Sequence, residues 1–200
     1  MKILLPQSLQ QRLRDELARA KRREVGGLLM GEHLGADDYR IVDISVQRAG
    51  GSAACFIRHP NKHRVQLDEF FARTGANYTR FNYLGEWHSH PSFPTIPSVK
   101  DLRTMQSLVE DPVVGANFLA LLIVRLGSNS LMEAGVTAFY AGQPPREAEL
   151  AVESREIDSA NPGQLPPTMD PPRSEHGDAI ADASPTIPDF PNGGSGDNKC

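Results

Sequence analysis

Leu9, Leu13 and Leu17 recur every four residues among polar neighbours, which predicts an amphipathic helix from Ser8, placed as its cap, to about Lys21. Gly26-Gly27-Leu28-Leu29-Met30-Gly31 reads as a short buried strand. From Tyr39 to Gln47 the chain alternates, with Val42, Ile44 and Val46 on one face and a mixed set on the other, the pattern of a half-buried strand. Cys55-Phe56-Ile57 is a further short strand, ended by His59-Pro60. Asn61 or Lys62 opens a helix to Ala72, with Val65, Phe70 and Phe71 available for packing. Arg80 to Trp87 is a strand running into His88, and Ser98 to Glu110 is a helix stopped by Asp111-Pro112. Phe118 to Leu126 is almost wholly apolar, as a strand covered on both faces must be. Met132 to Tyr140 returns beside it through Gly127-Ser128-Asn129. The alternation of element types predicts an α/β fold, a mixed sheet with helices on its faces.

Composition then divides the chain. The 58 residues from Gln143 to Cys200 hold ten of the 16 prolines and carry 11 Asp/Glu against four Lys/Arg, and their few large apolar residues are scattered. Such a stretch cannot bury enough apolar surface to offset its ordering entropy. The expected organisation is a domain over residues 1–142, a linker over 143–160 with a short helix near Arg146–Ile157, and a disordered, acidic, Pro-rich tail over 161–200.

The whole chain has a net charge of −4, which gives it no general claim on nucleic acid. No apolar run approaches the roughly 20 residues that span a bilayer, so no membrane role is expected. Met1 to Pro6 is too short an apolar patch for a secretory signal. Two cysteines, Cys55 and Cys200, build neither a disulfide framework nor a four-cysteine zinc site, and the expected compartment is the reducing cytoplasm.

Chemistry concentrates in Gly85-Glu86-Trp87-His88-Ser89-His90-Pro91, followed by Ser98-Val99-Lys100-Asp101. At the end of a strand, His88 and His90 project to one side and Trp87 to the other, into the core. Asp101 falls in the first turn of the next helix. Alone, a pair of histidines two apart is commonly a surface feature, and Ser98-x-x-Asp101 is a helix cap. Together, two imidazoles and a carboxylate form the ligand set of a catalytic zinc with its fourth position open. His59 and His63 are four apart, but Pro60 lies between them and the helix begins after it.

This pattern resembles the JAMM (MPN+) metalloprotease family. Glu24-Val25-Gly26-Gly27-Leu28-Leu29-Met30-Gly31 looks like that family's first strand and the likeness runs from about Leu9 to Tyr140. The resemblance implies a three-layer, cytidine-deaminase-like fold. It implies one zinc ion per chain held by His88, His90 and Asp101, Glu24 as general acid/base to the attacking water, and Ser98 as a donor to the oxyanion. The DNA-repair-associated RadC proteins share the metal signature but carry a helix-hairpin-helix region ahead of it, where this chain has one amphipathic helix.

Tyr83 to Pro91 and Phe56-x-Arg58 look most like the small peptidases of bacterial anti-phage and mobile-element operons. That likeness implies a deubiquitinase-like isopeptidase. Its partner would be the C-terminal tail of a ubiquitin-like protein, or of a protein conjugated by E1/E2-like operon partners. An extended tail of this kind binds naturally by strand addition. Trimming of a sulfur-carrier ubiquitin-like protein, or a noncatalytic scaffold for a ubiquitin-like partner, are the alternatives.

Overall fold

The computed structural model describes residues 1–48 and 60–153. Its elements are β1 (Lys2–Pro6), α1 (Gln7–Ala20), β2 (Gly26–Gly35), β3 (Asp38–Ile44), α2 (Pro60–Arg73), β4 (Phe81–Ser89), α3 (Val99–Glu110), β5 (Leu119–Leu126), β6 (Met132–Phe139) and β7 (Arg146–Glu153). The strands pair in the order β1-β3-β2-β4-β5-β6-β7, and β7 pairs back onto β1 to close the sheet. Pairing is mixed: β1 runs parallel to β3 and β7, and β4 parallel to β5, while the other pairs are antiparallel. The parallel β4–β5 pair needs a crossover, and α3 supplies it.

Helices cover both faces of this sheet. On the inner face Leu9, Leu13 and Leu17 of α1 pack with Ile3, Leu5, Leu29, Trp87 and Leu122. On the outer face Leu67 and Phe70 of α2 and Met105 and Leu108 of α3 pack with Leu28, Met30, Leu121 and Ile123. The apolar run of β5 is thereby explained: Ala120, Leu122 and Val124 enter one core, and Leu119, Leu121 and Ile123 the other. Gly85 has a φ of 138°, and a Cβ there would run into the backbone of Ala120, so glycine permits the close β4–β5 approach. Leu13 is fully buried, and Leu13→Ala should destabilise the fold by about 2–5 kcal/mol, read by urea denaturation.

Several expectations are corrected. The segment from Arg146, expected as a helix to Ile157, is the strand β7 as far as Glu153, so the sheet extends past residue 142. The helical spacing of Leu150 and Ala151 loses to the pairing offered on either side by β1 and β6, whose edges would otherwise stay open. Arg40 of β3 locks the end of β7, donating two hydrogen bonds to Glu153 at 2.7 and 2.9 Å and one to Glu32 at 3.0 Å. The patch Lys2 to Pro6 is itself a strand with Ile3 and Leu5 buried. It leads directly into α1, whose N-cap is Pro6 with no side-chain cap hydrogen bond, so Ser8 lies within the first turn. On α2, Val65 is exposed and Leu67 takes the buried position. The strand expected at Cys55-Phe56-Ile57 and the tail over 161–200 lie outside the described residues. No helix among the described residues is long and apolar enough to cross a membrane.

Candidate metal centre

β4 pairs with β2 from Phe81 to His88 and with β5 from Gly85 to Ser89, so its C-terminal end is held on both sides. Trp87 points to the inner face, fully buried, and its indole N–H donates to the Ser45 carbonyl at 2.9 Å. His88 therefore points to the outer face, where α3 lies. His90 follows just past the strand, and the two Nε2 atoms stand 3.1 Å apart. His90 Nδ1 lies 2.8 Å from the carbonyl oxygen of Pro94. A carbonyl only accepts, so Nδ1 carries the proton and Nε2 presents its lone pair to the site.

The third donor comes from the start of α3. Ser98 caps this helix, its Oγ accepting from the Asp101 N–H at 3.2 Å, while Asp101 Oδ2 accepts from the Ser98 N–H at 2.7 Å. This reciprocal box aims the carboxylate, with Oδ1 at 3.5 Å from His88 Nε2 and Oδ2 at 3.7 Å from His90 Nε2. Burial pushes the Asp101 carboxyl up, but hydrogen bonding and charge from His88 and His90, with the Ser98 bond, outweigh it and hold the group well below the usual carboxylate range.

The donor set fits zinc. Bonds of 2.0–2.1 Å around a tetrahedral ion put its ligand atoms about 3.3 Å from one another. The two Nε2 atoms, 3.1 Å apart, are close to that spacing, and one donor atom from each of His88, His90 and Asp101 lies within 4.8 Å of the others.

Glu24 sits between α1 and β2, buried, and lines the same cavity of about 460 Å³ with His88, His90, Ser98 and Asp101. Burial raises its carboxyl pKa, and the charges of His88 and His90 only partly offset this. Its neighbour Val25 is tied to the end of β4 in both directions. The Val25 N–H donates to Ser89 Oγ at 3.0 Å, and the Ser89 N–H donates to the Val25 carbonyl at 2.8 Å. Ser89 thus fixes the carboxylate segment to the histidine strand. Sequence reading missed this role: alternation places Ser89 on the inner face with Trp87, and its partner Val25 is 64 residues away in the chain.

Glu86, two residues before His88 on β4, lines the cavity too. His63 belongs elsewhere: it is buried, with Nδ1 2.7 Å from Ser45 Oγ and Nε2 3.2 Å from Gln47 Oε1. His59 lies outside the described residues.

Residues 6–140 match the family model described as prokaryotic homologs of the JAB domain. The chain belongs to this family. The JAB domain covers β1's last residue through β6, which includes every element that lines the site. One curated relative, from Vibrio cholerae, is 29% identical over 138 residues, covering 68% of this chain and 76% of that protein, and is named a CD-NTase/cGAS isopeptidase. A solution structure from Desulfitobacterium hafniense shares the fold, with a TM-score of 0.57 and 20% identity over 76% of this chain and 94% of that one.

Proposed function

We propose that this JAB-domain protein is a zinc-dependent isopeptidase. It hydrolyses the amide bond after the C-terminal Gly of a ubiquitin-like protein, or of a target conjugated in the same way, within a bacterial ubiquitin-like conjugation or anti-phage system. The observation that carries this reading is the convergence of two imidazoles, one carboxylate and a separate buried carboxylate on one cavity. The name of the Vibrio cholerae relative supports both the reaction class and the setting.

His88, His90 and Asp101 would hold the zinc. When bound there, zinc supplies Lewis acidity, activating water near neutral pH and polarising a carbonyl. Glu24 takes the proton from the attacking water and delivers it to the departing amine; its raised pKa suits both halves of that transfer. Ser98 Oγ is an acceptor in the capping box, so its own proton remains to donate to the oxyanion as the carbonyl becomes tetrahedral. Phe93, Ile96 and Met105 wall the cavity with apolar surface. A substrate ending in Gly-Gly passes such a wall without side chains to block it.

The test is mass spectrometry of products from a panel of conjugates whose ubiquitin-like part ends in Gly-Gly, including E1- and E2-like operon substrates. Cutting after the second Gly is expected, abolished by chelation and indifferent to thiol alkylation, because neither Cys55 nor Cys200 has a role in the reaction. Alkylation-sensitive cutting would sink the mechanism. Cutting only of a sulfur-carrier precursor would move the reading to trimming, and binding without any cutting would move it to a scaffold.

A further inference from the structure

Gly135 lies in β6 opposite Ile123 of β5, and Ile123 is in turn the pairing partner of His88. Its φ lies outside the left-handed region, so its own backbone does not call for glycine. Its surroundings do. A Cβ at residue 135 would stand 2.5 Å from the carbonyl oxygen of Thr95, in the loop that joins His90 to Ser98. That oxygen is backbone and has no flexible end to swing aside.

Three consecutive carbonyls of this loop are individually seated. Phe93 O accepts from Arg125 Nη1 at 3.3 Å, and Arg125 is itself gripped by Glu133 of β6 at 2.6 Å. Pro94 O accepts from His90 Nδ1 at 2.8 Å. Thr95 O rests on the bare face of Gly135. The loop is only seven residues long and both of its ends carry site residues. Ordinary carbon–oxygen contact would require Thr95 O to retreat by about 1 Å. A shift of that size in Thr95 reaches Pro94, the adjoining residue, and opens its hydrogen bond to His90.

We propose that Gly135 is a positioning residue for the metal centre: its missing side chain seats the 91–97 loop so that the Pro94 carbonyl holds the His90 proton on Nδ1 and keeps Nε2 aimed at the metal. This rests on the zinc reading above. It adds a residue on a strand that contributes no ligand, and it predicts a defect in metal binding beyond any loss of stability.

The test uses the full chain carrying Gly135→Ala, with zinc affinity measured by chelator competition and ligand geometry by the visible absorption of the cobalt-substituted protein. Zinc should bind about 10–100-fold more weakly, the range seen when a partner that orients a metal-binding histidine is lost. The cobalt bands should shift; the metal-free protein is expected to remain folded but to melt somewhat lower, because the Thr95 carbonyl must be displaced. Arg125→Met, which releases the Phe93 carbonyl without crowding, should weaken zinc in the same direction by a smaller factor. If the parent chain binds no zinc, the zinc reading itself fails. If the parent binds zinc and Gly135→Ala binds it equally well with unchanged cobalt bands, the positioning role is refuted. Should Gly135→Ala not fold, unchanged affinity in Arg125→Met refutes it instead.

Discussion

Glu24→Gln should keep its zinc and its fold and lose about 10²–10⁴-fold in turnover, the usual cost of removing a general acid/base. Glu24 contacts the cavity but is not among the three donors that cluster within 4.8 Å of one another. Glutamine preserves its shape and cannot carry the proton. Burial already disfavours the charged form of Glu24. The neutral amide should therefore leave stability unchanged or raise it slightly, as happens when a functional charge is removed from an enclosed site. Single-turnover kinetics on a Gly-Gly conjugate, elemental analysis and a thermal melt together read this. Near-native turnover with full zinc would remove Glu24 from the mechanism.

His88→Ala or His90→Ala should abolish stoichiometric zinc and bring hydrolysis to background, because two donors cannot retain the ion in competition with a chelator. Asp101 allows a finer separation. Asp101→Ala removes a ligand and also the acceptor of the Ser98 N–H, so it should lose zinc and about 1 kcal/mol of helix-cap stability. Asp101→Asn keeps an oxygen for the cap but removes the charge, so zinc binding should weaken sharply while the metal-free melting temperature falls less than in Asp101→Ala. Zinc content by elemental analysis, with melting of the metal-free chains, distinguishes the two effects. Unchanged zinc in all of these variants would place any metal elsewhere.

The clustering of His88, His90 and Asp101 was legible because its parts are local. His88 and His90 are two residues apart on a strand, so alternation alone places both imidazoles on one side. Ser98 and Asp101 are three apart at a helix start, so capping geometry alone brings them together. Trp87 followed from the same alternation, and it is buried on the opposite face. The link from Glu24 to this group was not local. It came from resemblance, and its physical basis is the pair of hydrogen bonds between Val25 and Ser89, 64 residues apart in the chain.

The sequence by itself determined the elements whose pattern is strong over many residues: the leucine repeat of α1, the doubly apolar β5, and the strand–loop–helix that carries the histidines and Asp101. Local periodicity and capping make such segments readable without knowledge of their tertiary partners. Only the tertiary structure decided β1 and β7. Each is short and ambiguous alone, and each becomes a strand because the other lies beside it, with Ile3 paired to Leu150 and Glu153 clamped by Arg40. The same holds for the seating of the 91–97 loop on Gly135. A glycine in a strand reads as a weakness until the backbone that needs its empty face is brought there by the fold.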